Sequence, residues 1–183
     1  MATQRWNIDP SHSGVHFTVR HMVISKVRGA FDRWQGTVDF DEQNPSASKV
    51  SVRIEAASVD TRDEKRDAHL RSADFFDVEN HPALTFESTK VEKLDGNDYR
   101  VTGKLTIHGI TKEVALEAEY LGGGKDPWGN ERLGFQARTA VNRKEFGLNW
   151  NQVLEAGGVL VGEKIEIALD VQAIKAQASE QAA

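Results

Sequence analysis

Residues 163–171, EKIEIALDV, set Ile165, Ile167, Leu169 and Val171 against Lys164, Glu166, Ala168 and Asp170. A period of two is the spacing of a strand, whose side chains project alternately to its two sides. Such a strand must bury one face and can wet the other, which suits an antiparallel sheet over a core. The same alternation recurs along the chain. VHFTVRH places Val15, Phe17, Val19 and His21 on one face, and KVSVRIE places Val50, Val52 and Ile54. YRVTGKLTIH gives Tyr99, Val101, Leu105 and Ile107, and KEVALEAEY gives Val114, Leu116, Ala118 and Tyr120. RLGFQARTAV gives Leu133, Phe135, Ala137, Thr139 and Val141, and weaker strands fall near 27–31, 36–41 and 84–91. The links NPSAS, LDGND, HGIT and GGGKDPWGN read as turns, so neighbours pair antiparallel.

About nine two-faced strands with little helix suit a β-sandwich or a closed barrel. The inward rows mix small residues (Ser88, Gly103, Ala118, Ala137, Thr139) with aromatic ones (Phe17, Phe31, Phe40, Phe86, Phe135). Small inward residues either let two sheets approach or leave room for a ligand, and spacing alone does not choose between them.

The chain's 183 residues suit one domain. A net charge of -5 argues against nucleic acid, which calls for a basic face. The absence of cysteine removes disulfides, thiolate catalysis and cysteine-ligated zinc. The start MATQRWNIDPSHS has no apolar run. A cytoplasmic address without a membrane span is therefore expected, or a periplasmic one for a trimmed mature form. A single domain over 1–175 is expected, with 176–183 as a flexible tail.

One stretch breaks the strand pattern. KRDAHLRSADFFD, residues 65–77, is dense in charge and ends on Phe75 and Phe76. Thr61 and Glu64 fit a capping box, the following residues favour helix, and Ser72 can cap a second turn over 74–76. Pro82 returns the chain to an extended path. A helical excursion over about 62–76 is expected. Its charges suit either a network pinning the helix to the sheet or a cationic patch for an anionic head group. Interleaved acids favour the network.

Catalytic patterns are not evident. No HExxH, calcium-loop spacing or GxSxG occurs. His16 and His21 have opposite parity on one strand, so a metal site would need long-range convergence, and none is expected. His21 ends an apolar row. It reads as a hydrogen-bonded rim residue or, less simply, as a polar contact at a cavity mouth.

Four stretches nevertheless make the chain recognisable: IDPSHSGVHFTVRHMVISKVRGAF, VDTRDEKRDAHLRSADFFDVENHPALTFES, GKLTIHGITKEVAL and GFQARTAVNRKEFGLNW. In this order the chain resembles the YceI-like family, lipocalin-like proteins with members that bind polyisoprenoids. The resemblance implies an all-β fold, an extended antiparallel barrel around an apolar tunnel, with the helical excursion as a cover. It implies binding of a long-chain isoprenoid, isoprenoid quinone or fatty amide, as carrier, store or sequestering protein, and no enzyme activity or cofactor. The tunnel wall would comprise Phe17, Val19, His21, Phe31, Phe40, Val52, Ile54, Phe76, Leu84, Phe86, Leu105, Ile107, Leu116, Phe135 and Trp150. His21, Arg66 and Arg71 would meet the head group. The alternatives are an enzyme acting on an isoprenoid or quinone, its polar set being His21, Arg66, Asp67 and Arg71, and a partner-binding protein with a filled core. Exposed strand edges would suit a homodimer.

Overall fold

The computed structural model describes residues 3–155 and 157–177. Among them, eleven strands form one sheet in the order β1-β4-β5-β7-β8-β9-β10-β11-β2-β3-β6. They are β1 (Gln4–Ile8), β2 (Gly14–His21), β3 (Ser25–Phe31), β4 (Trp34–Phe40), β5 (Lys49–Glu55), β6 (Val59–Asp60), β7 (Ala83–Lys93), β8 (Asp98–Ile107), β9 (Ile110–Lys125), β10 (Glu131–Asn142) and β11 (Val161–Lys175). All pair antiparallel, and a β1–β11 pairing closes an eight-stranded barrel. Closure gives β1 a second strand partner, while β6 at the other end of the order pairs with β3 alone among the described residues.

Strand β11 is long enough to hold two partners. Its first part pairs with β2 between Val161 and Asp170, and its end pairs with β1 between Ala173 and Lys175. Strands β1 and β2 thus continue one another along β11, broken by a 3-10 turn at Pro10–His12. The Asp9 carboxylate caps that turn by accepting the Ser11 N–H at 3.0 Å. Strand β3 runs on into β4, and β5 into β6 through the 3-10 turn Ala56–Ser58. These kinked strands extend the barrel on one side.

Above β6 and β7 the wall is completed by helix α1 (Glu64–Arg71) and the turns after it. The cap differs from the expected capping box. Asp63 is the N-cap, accepting the N–H groups of Lys65 and Arg66 at 3.1 Å each. Thr61 instead donates its N–H and hydroxyl to the buried Asp67 carboxylate, at 2.9 and 2.5 Å. Between them Arg62 takes a left-handed φ of 64°, which turns Thr61 away from the helix start.

Two further expectations change. Gly122, Gly123 and Gly124 are not turn but strand, paired with Gly134, Leu133 and Arg132. Ladder hydrogen bonds need no side chain, so the turn shrinks to about residues 126–130. At the other end, Ala176 is buried and its N–H donates to Arg5 O at 3.0 Å. Gln177 of the expected tail is also described and is exposed, and 178–183 lie outside the described residues.

The inward rows converge on one core spanning all eight barrel strands. On β5, β7 and β8 most of these residues are buried, including Val52, Ile54, Leu84, Phe86, Val101 and Ile107. On β9, β10 and β11 the inward rows around Leu116, Ala118, Ala137, Thr139, Ile167 and Leu169 are only half-buried. They point inward yet keep accessible surface, because that surface borders an internal void.

Candidate functional site: an apolar cavity under a helical cap

The void is a cavity of about 240 Å³ along the barrel axis, lined by the inward rows of the strands and by Leu70, Phe75 and Phe76 of the cap. That volume lies just below the roughly 300–1,000 Å³ of most small-molecule pockets. Aromatic side chains restrict it at two levels. At the end holding the β7–β8 turn, the Phe40 ring sits 5.9, 5.2 and 5.3 Å from those of Tyr99, Tyr120 and Phe135. Toward the cap, Phe31 lies 5.6 Å from Phe17 and 5.7 Å from Phe76. The Phe17 ring covers Gly29, its cross-strand partner. A Cβ at Gly29 would lie 2.3 Å from the ring, so only glycine admits this contact.

The cavity wall includes few polar side chains, and those with bonds are engaged elsewhere. The Thr139 hydroxyl donates to Ala115 O at 2.9 Å, and Ser48 Oγ accepts the Asp41 N–H at 3.0 Å. Burial raises the Tyr99 phenol above its ordinary pKa, which keeps it neutral. Arg143 is the one strong charge on the wall among the described residues. Its guanidinium donates to four carbonyl oxygens: Gly162 at 2.8 Å, Leu148 at 2.6 Å, Trp150 at 2.9 Å and Val161 at 3.2 Å. Burial lowers its pKa, opposed by the charge of Glu163. Four carbonyl dipoles stabilise the cation and fold 148–162 against the end of β10. What the wall offers chemically is desolvation and dispersion along its length.

Of the residues expected at the tunnel, Phe17, Val19, Phe31, Phe40, Val52, Ile54, Phe76, Leu84, Phe86, Leu105, Ile107, Leu116 and Phe135 line the cavity. His21, Arg66, Arg71 and Trp150 do not. Arg66 donates to Thr61 Oγ1 and Thr61 O, both at 2.7 Å. Arg71 donates to Ala57 O at 2.9 Å and Val59 O at 3.3 Å. Their fork-shaped groups bind the cap to the sheet through backbone carbonyls, so the charged island is mainly a structural network. His69 pairs with Asp74 at 2.8 Å in the same network. Trp150 packs edge-on against the cap instead, its ring 4.6 Å from that of His69, and lies 5.5 Å from Phe75. His21 ends β2 opposite Val161, and its carbonyl accepts the Ser25 hydroxyl at 2.9 Å.

Tyr99, Val114, Ala118, Ala137, Ile165, Ile167, Leu169 and Val171 also line the cavity, from inward rows that the period of two identifies directly, although the set of candidate contacts did not name them. Phe75, Phe146 and Leu148 belong to turns, where no period operates. The β2–β3 hairpin tip exposes Met22, Val23 and Ile24, the last at 88%. The tip is tied to the neighbouring loop by Met22 N–H donating to Leu160 O at 2.8 Å.

The sequence of residues 6–173 matches the model of the YceI-like domain. Over 137 residues the chain is 47% identical to protein YceI of Escherichia coli, covering 75% of this chain and 71% of that protein. The fold is similar to that of BcnA from Burkholderia cenocepacia, with a TM-score of 0.80 over 90% of this chain and 98% of that one, at 24% identity. It is also similar to a polyisoprenoid-binding domain from Saccharophagus degradans, with a TM-score of 0.68, 14% identity and coverage of 95% and 99%. Apolar cavity, closed barrel and matched sequence agree: the chain belongs to the YceI-like family.

Proposed function

We propose that this protein binds the hydrocarbon chain of a long isoprenoid or related amphiphile in its barrel, as a carrier or store. The observation that carries this is the half-buried inward face of β9, β10 and β11, an apolar wall bordering a void. Filling that void with alkyl groups is favourable by about 0.8 kcal/mol per methylene, or roughly 4 kcal/mol gross for a five-carbon isoprene unit. A few units would offset the cost of ordering the ligand. A polyisoprenoid-binding relative in fold supports the choice of ligand class. A cavity of 240 Å³ holds a long chain only if the Phe40 and Phe31 ring clusters swing aside, so ring motion would set the chain length accepted. The exposed tip at Met22, Val23 and Ile24 offers an apolar approach beside the loop that carries Leu160.

The test is native mass spectrometry of the purified protein before and after incubation with polyprenyl lipids of graded length, with extraction of whatever is bound. One chain-length-dependent lipid per protein is expected. A protein that is empty as purified and takes up no polyprenyl lipid overturns the reading.

A further inference from the structure

We propose that Asp77, His81 and His108 form a site for a divalent first-row transition-metal ion such as Zn²⁺, which staples the cap to the β8–β9 turn. This site is separate from the cavity and does not depend on what the barrel binds. Each residue offers one ligand atom, and the three atoms lie within 4.8 Å of one another. In a tetrahedral site with metal–ligand lengths of about 2.0–2.2 Å, ligand atoms stand roughly 3.3 Å apart. Small side-chain rotations therefore close the set around an ion.

The chemistry is selective. Two imidazoles and one carboxylate suit Zn²⁺ and its neighbours, whereas Mg²⁺ and Ca²⁺ prefer all-oxygen cages. At least one coordination position would stay open to water or an exogenous ligand.

Three further observations point to a built site. The Nδ1 atom of His108 is buried with no hydrogen-bond partner among the described residues, an arrangement that native structures rarely leave unexplained. The Asp77 carboxylate is oriented by Asn80, whose Nδ2 donates to Oδ2 at 2.9 Å, the kind of outer support that metal ligands carry. His81 lies where a side chain at Gly109 would be, its Cε1 2.8 Å from a Cβ built there, and its ring is 4.7 Å from that of His108. Glycine at 109 thus admits the imidazole.

The three ligands come from two elements. Asp77 and His81 follow α1, while His108 occupies the two-residue turn between Ile107 and Ile110. Phe76 and Ile107, their neighbours in sequence, both line the cavity. An ion here would fix the cap against the barrel.

The experiment uses the untagged 183-residue chain, stripped with chelator and titrated with Zn²⁺ alone by calorimetry, and with Co²⁺ alone by visible absorption. Hydrogen exchange of 71–82 is followed with and without Zn²⁺. One ion per chain is expected, with slower exchange in the cap. His81→Ala and His108→Asn should each weaken binding by more than the roughly 10–100-fold typical of losing an outer-shell partner. Asn tolerates the left-handed backbone of position 108, where φ is 55°, so the turn survives while the imidazole is lost. His12→Ala, at a surface histidine paired with Asp9, should bind like the parent. Absence of stoichiometric binding, equal affinity in His81→Ala, or Zn²⁺ binding that leaves cap exchange unchanged each overturns the proposal.

Discussion

Ala118 and Ala137 face each other directly across the β9–β10 pair, and both border the cavity. Two methyl groups stand where larger residues would fill the barrel, so this is the point at which one substitution can close it. Ala137→Trp is expected to remain folded, with a thermal midpoint near that of the parent, because the indole enters existing space. Uptake of polyprenyl lipid, read by native mass spectrometry, should fall at least tenfold. A folded variant that loads like the parent would remove the cavity from the binding account.

Much of this was legible in the sequence, for a simple reason. A period of two assigns a side to every residue of a strand without knowledge of its neighbours, so the rows through Leu116, Phe135 and Ile167 were readable one strand at a time. Barrel closure was legible through the family resemblance and not through periodicity. It depends on β1, whose five residues show only Trp6 and Ile8 buried, too short a run for a periodic signal. Arg66 and Arg71 misled because a charge next to a presumed mouth looks the same whether it awaits a ligand or already serves backbone carbonyls. The convergence of Asp77, His81 and His108 is long-range, and no local motif announces it.

Asp67 carries the junction between β6 and α1. It accepts both donors of Thr61 while Arg66 donates to the same residue. Asp67→Ala would leave a buried N–H and hydroxyl unsatisfied, at about 1–3 kcal/mol for each such group. A loss of roughly 2–6 kcal/mol is expected in urea denaturation, with faster hydrogen exchange concentrated in 61–77. A loss below the error of the measurement would show that the cap is held elsewhere.

Gly29→Ala tests the aromatic layer under the cap. The new methyl would collide with the Phe17 ring at its cross-strand partner, so the ring must swing toward the cavity. Overpacking of this kind costs about 1–3 kcal/mol. The variant should be destabilised by that amount and bind shorter chains than the parent. The double variant Gly29→Ala, Phe17→Leu should recover stability if the ring is the obstacle.

The closing strand is pinned by charge, which predicts an acid branch to stability. Arg132 donates to Asp126 Oδ2 at 2.7 Å, to Asp9 Oδ2 at 2.9 Å and to Gln172 Oε1 at 2.7 Å. The Arg132 bond, opposed by desolvation, pulls the Asp126 carboxyl from 3.8 down to about 2. Asp9 is also held well below the ordinary range: burial alone would raise it, but hydrogen bonds from Ser11, Arg132 and His12 prevail. A depressed carboxyl stabilises the fold above its unfolded pKa and loses that contribution as pH falls through its folded pKa. Stability should thus drop between about pH 4 and pH 2. Arg132→Met should be less stable than the parent at pH 7, with the gap narrowing toward pH 2. A gap independent of pH would assign the effect of Arg132 to packing.

Arg143 separates the demands of geometry from those of charge. Its planar fork reaches four carbonyl oxygens in three directions, whereas a lysine ammonium is a single point that cannot span them. Arg143→Lys keeps the charge but strands several carbonyls, and leaving a buried polar group unpaired costs about 1–3 kcal/mol. A loss near that range is expected for Lys as well as for Ala, together with rapid hydrogen exchange across 148–162. The segment lies beside the cavity end formed by Leu148 and Val161, so the loosened protein should also release bound polyprenyl lipid faster. If Lys restores both stability and lipid retention, a positive charge suffices and the carbonyl cage is incidental. If neither recovers, the fork itself holds the end of the barrel shut.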